Sequence, residues 1–375
     1  MESTKEIFRN RWLLAAVVLT GLAARLAMAM QGHNYDMNSW YLVADIMRHG
    51  GNVYAQTDRY NYGPVWFNIL YCLDALAGHR PEVLRYLIAA FLSLVDLGIF
   101  FTLGRQAQWF AATLFFLNPV SILITGYHGQ FDNLAVLLGL WSVRLFDDDF
   151  AKPLSRRGYC GLLLLGFSLM TKHLFFLFPL WLAVKQKGLL QKVLILAVPV
   201  ACFVLAFAPY WKEGWMGIML NVYAYRSYNV SFAYHFFLPQ CLQFCCGAKT
   251  LWLGILVLFA FACRSRNSFE SLLIYTGLLV AFSPSTTNQY FAIPIALASV
   301  FPSVPFALYT AVATLQICAD PCNGPRLWAG WQGRYDDLVI YSLCFALAWF
   351  FGRQQFLRLF HWALAEIRRQ VDLLS

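Results

Sequence analysis

The chain has 375 residues, of which 60% are hydrophobic, 17% aromatic and only 13% charged, and its formal net charge is +9. An ordinary soluble domain carries about 25% charged and 45–50% apolar residues, so a cytosolic globule is excluded. The basic surplus falls mostly in short loops beside apolar runs, where orientation in a membrane accounts for it and no nucleic-acid partner is required.

Apolar runs recur at 12–30, 84–103, 108–125, 132–146, 158–171, 173–184, 189–209, 250–263, 270–282, 289–301, 303–318 and 337–352. By the length rule these make about twelve crossings, and the expected fold is all-α, a multi-pass transmembrane helical bundle forming one integral membrane domain over 1–375. The first run, 12–30, follows Lys5, Arg9 and Arg11 and is long enough to stay as a span instead of being removed as a signal. A long external segment, 31–81, comes next; within it Trp40, Val43, Ala44 and Met47 follow helical spacing, which predicts an interfacial helix over 39–49. The stretch 64–78 begins with Pro64 and carries Asp74, and it is read as re-entrant or interfacial. Core spans then occupy 82–209, an external loop 210–249, C-terminal spans 250–352 and a cytoplasmic tail 353–375.

With 64–78 not crossing, one set of loops collects Lys5, Arg9, Arg11, Arg105, Lys152, Arg156, Arg157, Lys185, Lys187, Lys192, Arg264, Arg266 and the basic tail. The positive-inside rule makes that side cytoplasmic, both termini included. Arg25 and Asp96 fall inside spans and are read as a structural ion pair or as snorkelling groups. Of the 10 cysteines, Cys72, Cys160, Cys202 and Cys344 lie in apolar stretches and read as small buried hydrophobes; Cys241, Cys245, Cys246, Cys318 and Cys322 lie near segment ends, where an oxidising side would allow pairing.

Three polar clusters stand on the external side. The first is Gly32-His33-Asn34-Tyr35-Asp36-Met37-Asn38-Ser39-Trp40. Asp36 there is either a helix N-cap or a catalytic carboxylate, and Asn38 or Ser39 is equally able to cap. The second is Gly126-Tyr127-His128-Gly129-Gln130-Phe131-Asp132-Asn133, a turn with Gly129 at positive φ and Asp132 capping the next helix, yet richer in polar groups than a cap requires. The third, Ser283-Pro284-Ser285-Thr286-Thr287-Asn288-Gln289-Tyr290, reads as a helix start whose amides and hydroxyls suit an anion. Lys172, His173 and Arg226 add cations on the same side.

The order of these features resembles the GT-C superfamily of polyprenyl-phosphate-sugar-dependent glycosyltransferases: Asn34-Tyr35-Asp36 after the first span, then Arg59-Tyr60-Asn61-Tyr62-Gly63-Pro64, Leu117-Asn118-Pro119 leading into Gly126 to Asn133, and Gln289-Tyr290-Phe291. The likeness runs from about residue 12 to 301 and is strongest to the dolichyl-phosphate-mannose-dependent mannosyltransferases of GPI-anchor synthesis and their bacterial relatives. The aromatic stretch from Tyr225 to Phe236 is similar to a later external loop of that family. In the family an Asp-x-Asp pair follows the first span, and here Asn34 replaces its first member.

The resemblance implies a hexosyltransferase that moves a sugar, mannose by likeness, from a polyprenyl-phosphate donor to an acceptor hydroxyl with inversion. Asp36 is then the catalytic base; His128, Gln130 and Asp132 orient hydroxyls; and Lys172, His173, Arg226, Thr286, Gln289 and Tyr290 belong to the donor-binding set. A lipid monophosphate leaving group calls for no bridging metal, so neither a divalent metal nor another cofactor is expected. The expected partners are the lipid-linked sugar, a lipid, glycan or protein acceptor, and the membrane itself. The sequon Asn229-Val230-Ser231 fits an endoplasmic reticulum membrane if the source is eukaryotic, and a cytoplasmic membrane is expected if it is bacterial. The competing class is a multi-pass transporter or lipid-linked-sugar flippase, which also has many spans and buried charge but tends to show internal repeats.

Overall fold

The computed structural model describes residues 11–146, 148–225, 247–320, 323–325 and 335–353. The architecture is helical throughout, with no strand among the described residues. Among the described residues three helices are long and apolar enough to cross a membrane: Arg11–Met30 with 20 residues, Pro81–Gln106 with 26, and the run Leu189–Tyr223 with 35. A fourth joins Trp109–Phe116 to Pro119–His128 across a 47° bend. Among the described residues length and apolarity therefore mark three or four candidate spans, which does not confirm the expected twelve.

Helix is nonetheless found at each of the other apolar runs, in shorter pieces. Asp132–Leu145, Arg156–Thr171, Ala248–Ala262, Ser268–Ala281 and Val304–Ala319 have 14 to 16 residues, and 336–353 is helical. At 1.5 Å per residue such pieces reach about 21–24 Å, short of a hydrocarbon core of about 30 Å. Proline sits at the remaining breaks. Pro179 opens Phe178–Ala183 after a single turn at His173–Phe175, and Pro294 separates Asn288–Ala292 from Ile295–Val300. Each lacks the N–H that would carry a helix through. Pro64–Leu76 has 13 residues, about 20 Å by the same rise, and ends in the left-handed pair Gly78 and His79.

The first helix shows how the bundle forms. Its buried residues are Val17, Gly21, Arg25 and Ala29, one stripe at intervals of four, while Leu19 and Leu26 face outward. Gly21 admits the Phe116 ring so closely that a Cβ would lie 2.4 Å from it. Arg25 donates from Nε to Asp96 at 2.9 Å, and its Nη1 reaches the carbonyls of Gly21 at 3.1 Å and Phe116 at 2.8 Å. The Phe116 carbonyl is orphaned by the break at Leu117-Asn118-Pro119, so the guanidinium fills the gap that the bend opens. Asp96 accepts in addition from Thr125 at 2.7 Å and from Asn133 at 2.6 Å. Arg25 and Asp96 thus form the structural ion pair that the sequence suggested.

Outward-facing Leu94, Phe167, Leu205 and Leu258 are among many exposed large apolar side chains, which fits association with a membrane. The six described cysteines, Cys72, Cys160, Cys202, Cys263, Cys318 and Cys344, are unpaired; Cys241, Cys245, Cys246 and Cys322 lie outside the described residues. At one end of the bundle Asp148 accepts from Ser268 N and Oγ at 2.9 and 2.8 Å, tying the end of Asp132–Leu145 to the start of Ser268–Ala281. Their opposite ends, at Asp132 and Ser283, converge on a cavity.

Candidate functional site

The cavity encloses about 790 Å³, and its wall is drawn from parts of the chain far apart in sequence: positions within 34–40 and 58–62, His128, Tyr225, 286–289, and Asp320, Asn323, Asp336, Asp337 and Ile340. The three polar clusters, separated by up to 250 residues, therefore line one space. This follows from chain direction, because each passes from helix to loop at the same end of the bundle.

Asp36 is the first residue of Asp36–Arg48, and neither it nor Asn38 or Ser39 caps that helix: the N-cap position is Tyr35, with no side-chain cap bond. The carboxylate is thereby left for the cavity. Gln130 Nε2 donates to Asp36 Oδ2 at 2.5 Å and Asn34 Nδ2 donates to the same oxygen at 3.2 Å. Oδ1 has no hydrogen bond among the described residues. Burial pushes the carboxyl above the ordinary aspartate range; the Asn34 amide and the charges of Lys172 and Arg59 pull the other way, and Asp132 adds to the rise.

Behind the wall lies a second pair of charges. Lys172 Nζ is 2.7 Å from Asp132 Oδ1, and both side chains are buried. The ammonium faces the rings of Tyr62 at 4.9 Å, Phe131 at 5.2 Å and Tyr290 at 5.4 Å. Those faces offset part of the desolvation of a buried cation. Trp66 stacks on Phe131 at 4.4 Å with Trp40 edge-on to both, and Trp40 Nε1 donates to the carbonyl of Gly129. Gly129 has the expected positive φ, +60°. Asp132 does not cap its helix as expected: it is the first helical residue, behind Phe131, and is committed to Lys172.

The placement of the expected site residues divides them. Asp36, His128, Thr286 and Gln289 line the cavity, and Gln130 touches it through Asp36. Lys172, Asp132 and Tyr290 lie behind the wall, while His173 is half-buried beside Phe203, its Nδ1 without a partner among the described residues. Arg226 lies outside the described residues. The expected helix start at 283–290 is a single turn, Asn288–Ala292, so no helix end faces an anion there; what remains are the hydroxyls of Thr286 and Thr287, buried and without partners among the described residues.

Sequence reasoning assigned no site role to several residues that structure brings in. Arg59 is the only Lys or Arg among the described residues of the wall. Its guanidinium lies 4.4 Å over the Tyr35 ring, and Nη2 is buried with no partner among the described residues. On the wall's other segments Asn288 Nδ2 donates to Asp320 at 2.7 Å, and Gln316 Nε2 donates to Asn288 at 3.2 Å and Asp336 at 3.1 Å. Amides holding carboxylates in place suit the hydroxyls of a polyol, which donate to the one and accept from the other. The adjacency of Arg59 to a Tyr-Asn-Tyr-Gly-Pro run was the only sequence signal for the cation; Asp320 and Asp336 had none. Among the described residues no group of three or more His, Cys, Asp or Glu is placed to hold a metal ion.

Comparisons with protein-family models, characterised proteins and solved structures found no match to this chain.

Proposed function

We propose that the protein is a membrane hexosyltransferase of GT-C type that transfers a sugar, by resemblance mannose, from a polyprenyl-phosphate donor to an acceptor hydroxyl. The observation that carries this reading is the state of Asp36: two amide N–H groups saturate Oδ2 while Oδ1 stays open beside a cavity large enough for a sugar. That arrangement suits a base with one working oxygen.

In the reaction, the acceptor oxygen forms a bond to the anomeric carbon from the face opposite the phosphate, and its proton passes to Asp36 Oδ1. The bond from the anomeric carbon to the phosphate oxygen breaks, and the lipid phosphate leaves with the electron pair, inverting the centre. Arg59, with an N–H group unpaired among the described residues, and the hydroxyls of Thr286 and Thr287 are the wall groups suited to that phosphate. Lys172 acts from behind, as a charge that favours the ionised form of Asp36. Asn288, Asp320 and His128 suit the sugar hydroxyls.

On this reading about twelve segments traverse the bilayer, several as broken helices. The site faces outward from the cytoplasm, in the cytoplasmic membrane of a bacterium or the endoplasmic reticulum of a eukaryote, with both termini inside. The acceptor is a lipid, glycan or protein hydroxyl, and neither metal nor cofactor takes part. Transfer of label from polyprenyl-phosphate mannose to crude membrane-lipid acceptor by the protein in nanodiscs supports the reading; bound donor that is never turned over opposes it.

A second reading rests on the wall's carboxylates Asp58, Asp320, Asp336 and Asp337, which outnumber its cations among the described residues. A transporter for a cationic or polyhydroxylated solute would use such a wall. Solute uptake into proteoliposomes, unaffected by removal of polyprenyl donors, distinguishes it.

A further inference from the structure

Asn34 is 4% exposed and His128 1% exposed, and one nitrogen joins them: Asn34 Nδ2 lies 3.2 Å from Asp36 Oδ2 and 3.0 Å from His128 Nδ1. An amide nitrogen carries two hydrogens and no acceptor lone pair. It can therefore serve both neighbours only when each offers a lone pair, which requires that Asp36 Oδ2 carry no proton, a condition that favours the ionised carboxylate, and that His128 Nδ1 be bare. The imidazole proton must then sit on Nε2, and Nε2 is buried with no partner among the described residues, in a residue that lines the cavity.

We propose that Asn34 is a positioning residue that acts on two protonation states at once: it keeps the proton off Asp36 Oδ2, favouring the ionised base, and presents His128 to the substrate as a neutral Nε2–H donor. The ligand atom that His128 meets is an acceptor oxygen of the bound sugar or its phosphate. This rests on the transferase reading only for the identity of that oxygen; the tautomer follows from the protein alone.

The alternative orientation shows the coupling. With Asn34 Oδ1 turned toward the same neighbours, Asp36 would have to be protonated and His128 would have to carry its proton on Nδ1, removing base and donor together. Gln130 opposes that turn, because its Nε2 already donates to Asp36 Oδ2 at 2.5 Å. The other charged and titratable groups near the pair are Lys172, Arg59 and Asp132 for Asp36, with the phenols of Tyr62 and Tyr290, and Asp320 for His128. None of them contacts Nδ1 among the described residues. A carboxylate in place of Asn34 would repel Asp36, so that the two share a proton, and would draw a second proton onto His128.

The test uses full-length protein in nanodiscs, labelled with ¹⁵N at histidine, with His128→Ala to assign the resonance. At pH 7 the wild-type His128 is expected as the neutral Nε2–H tautomer; a proton on Nδ1, or on both nitrogens, overturns the proposal. Asn34→Asp, close to isosteric, is expected to convert His128 to imidazolium and to move the acidic limb of the transfer rate upward by about one pH unit or more, with rate regained at higher pH. An unchanged tautomer and an unmoved limb in that variant also overturn it. If wild type shows the expected tautomer but moves no sugar from any polyprenyl phosphate tested, the transferase reading fails and the Asn34 assignment stands. If sugar moves while the tautomer is wrong, the reverse holds.

Discussion

Lys172 and Asp132 form a 2.7 Å ion pair sealed behind the cavity wall by the rings of Tyr62, Phe131 and Tyr290. Breaking a buried pair from one side leaves an uncompensated charge, at a cost of about 3–5 kcal/mol, whereas removing both charges is far cheaper. Lys172→Met alone is therefore expected to lower thermal stability in detergent sharply, and Asp132→Leu added to it to restore much of the loss. Equal melting of wild type and Lys172→Met would show that the pair is not a structural element.

Asp36 is held above the ordinary aspartate value of about 3.9 by burial, with Arg59 among the groups that draw it down. Removing a cation removes a downward pull, so Arg59→Gln should move the acidic limb of kcat/KM to higher pH. The same change should weaken donor binding, raising the apparent KM, because the unpaired guanidinium N–H is lost. A limb that moves to lower pH contradicts the charge assignment, and an unchanged KM contradicts the phosphate role.

Gly63 precedes Pro64 at the start of Pro64–Leu76, and a Cβ there would lie 1.8 Å from the Met170 carbonyl oxygen. A backbone atom cannot yield as a flexible side chain can. Gly63→Ala should thus displace the Tyr60 to Tyr62 wall from Met170 and Lys172, costing about 1–3 kcal/mol by overpacking. Thermal melting measures the cost, and native stability in the variant would refute the close approach.

The sequence made helix positions legible because hydropathy dictates them: all twelve apolar runs contain helix. It also marked Asp36, His128, Thr286 and Gln289 as neighbours, because loops at one end of a bundle must share a side. Continuity was not legible. Proline breaks at Pro119, Pro179 and Pro294 divide runs that composition alone reads as whole. Partner choice was hidden as well: Asp132 fits the pattern of an N-cap, and only the approach of Arg156–Thr171, which ends just before Lys172, makes it half of an ion pair. The pairing of Asn34 with His128 spans 94 residues and rests on Gly129 turning the chain back toward Asp36.

The central claim is that Asp36 takes the acceptor's proton. It is tested most directly by comparing wild type with Asp36→Asn in nanodiscs, following label from polyprenyl-phosphate mannose into lipid acceptor with protein yield and melting measured alongside. The account predicts equal folding and a fall in transfer of about 10²–10⁴-fold, the usual contribution of a general base. A folded Asp36→Asn protein that keeps more than about a tenth of the wild-type rate would contradict it.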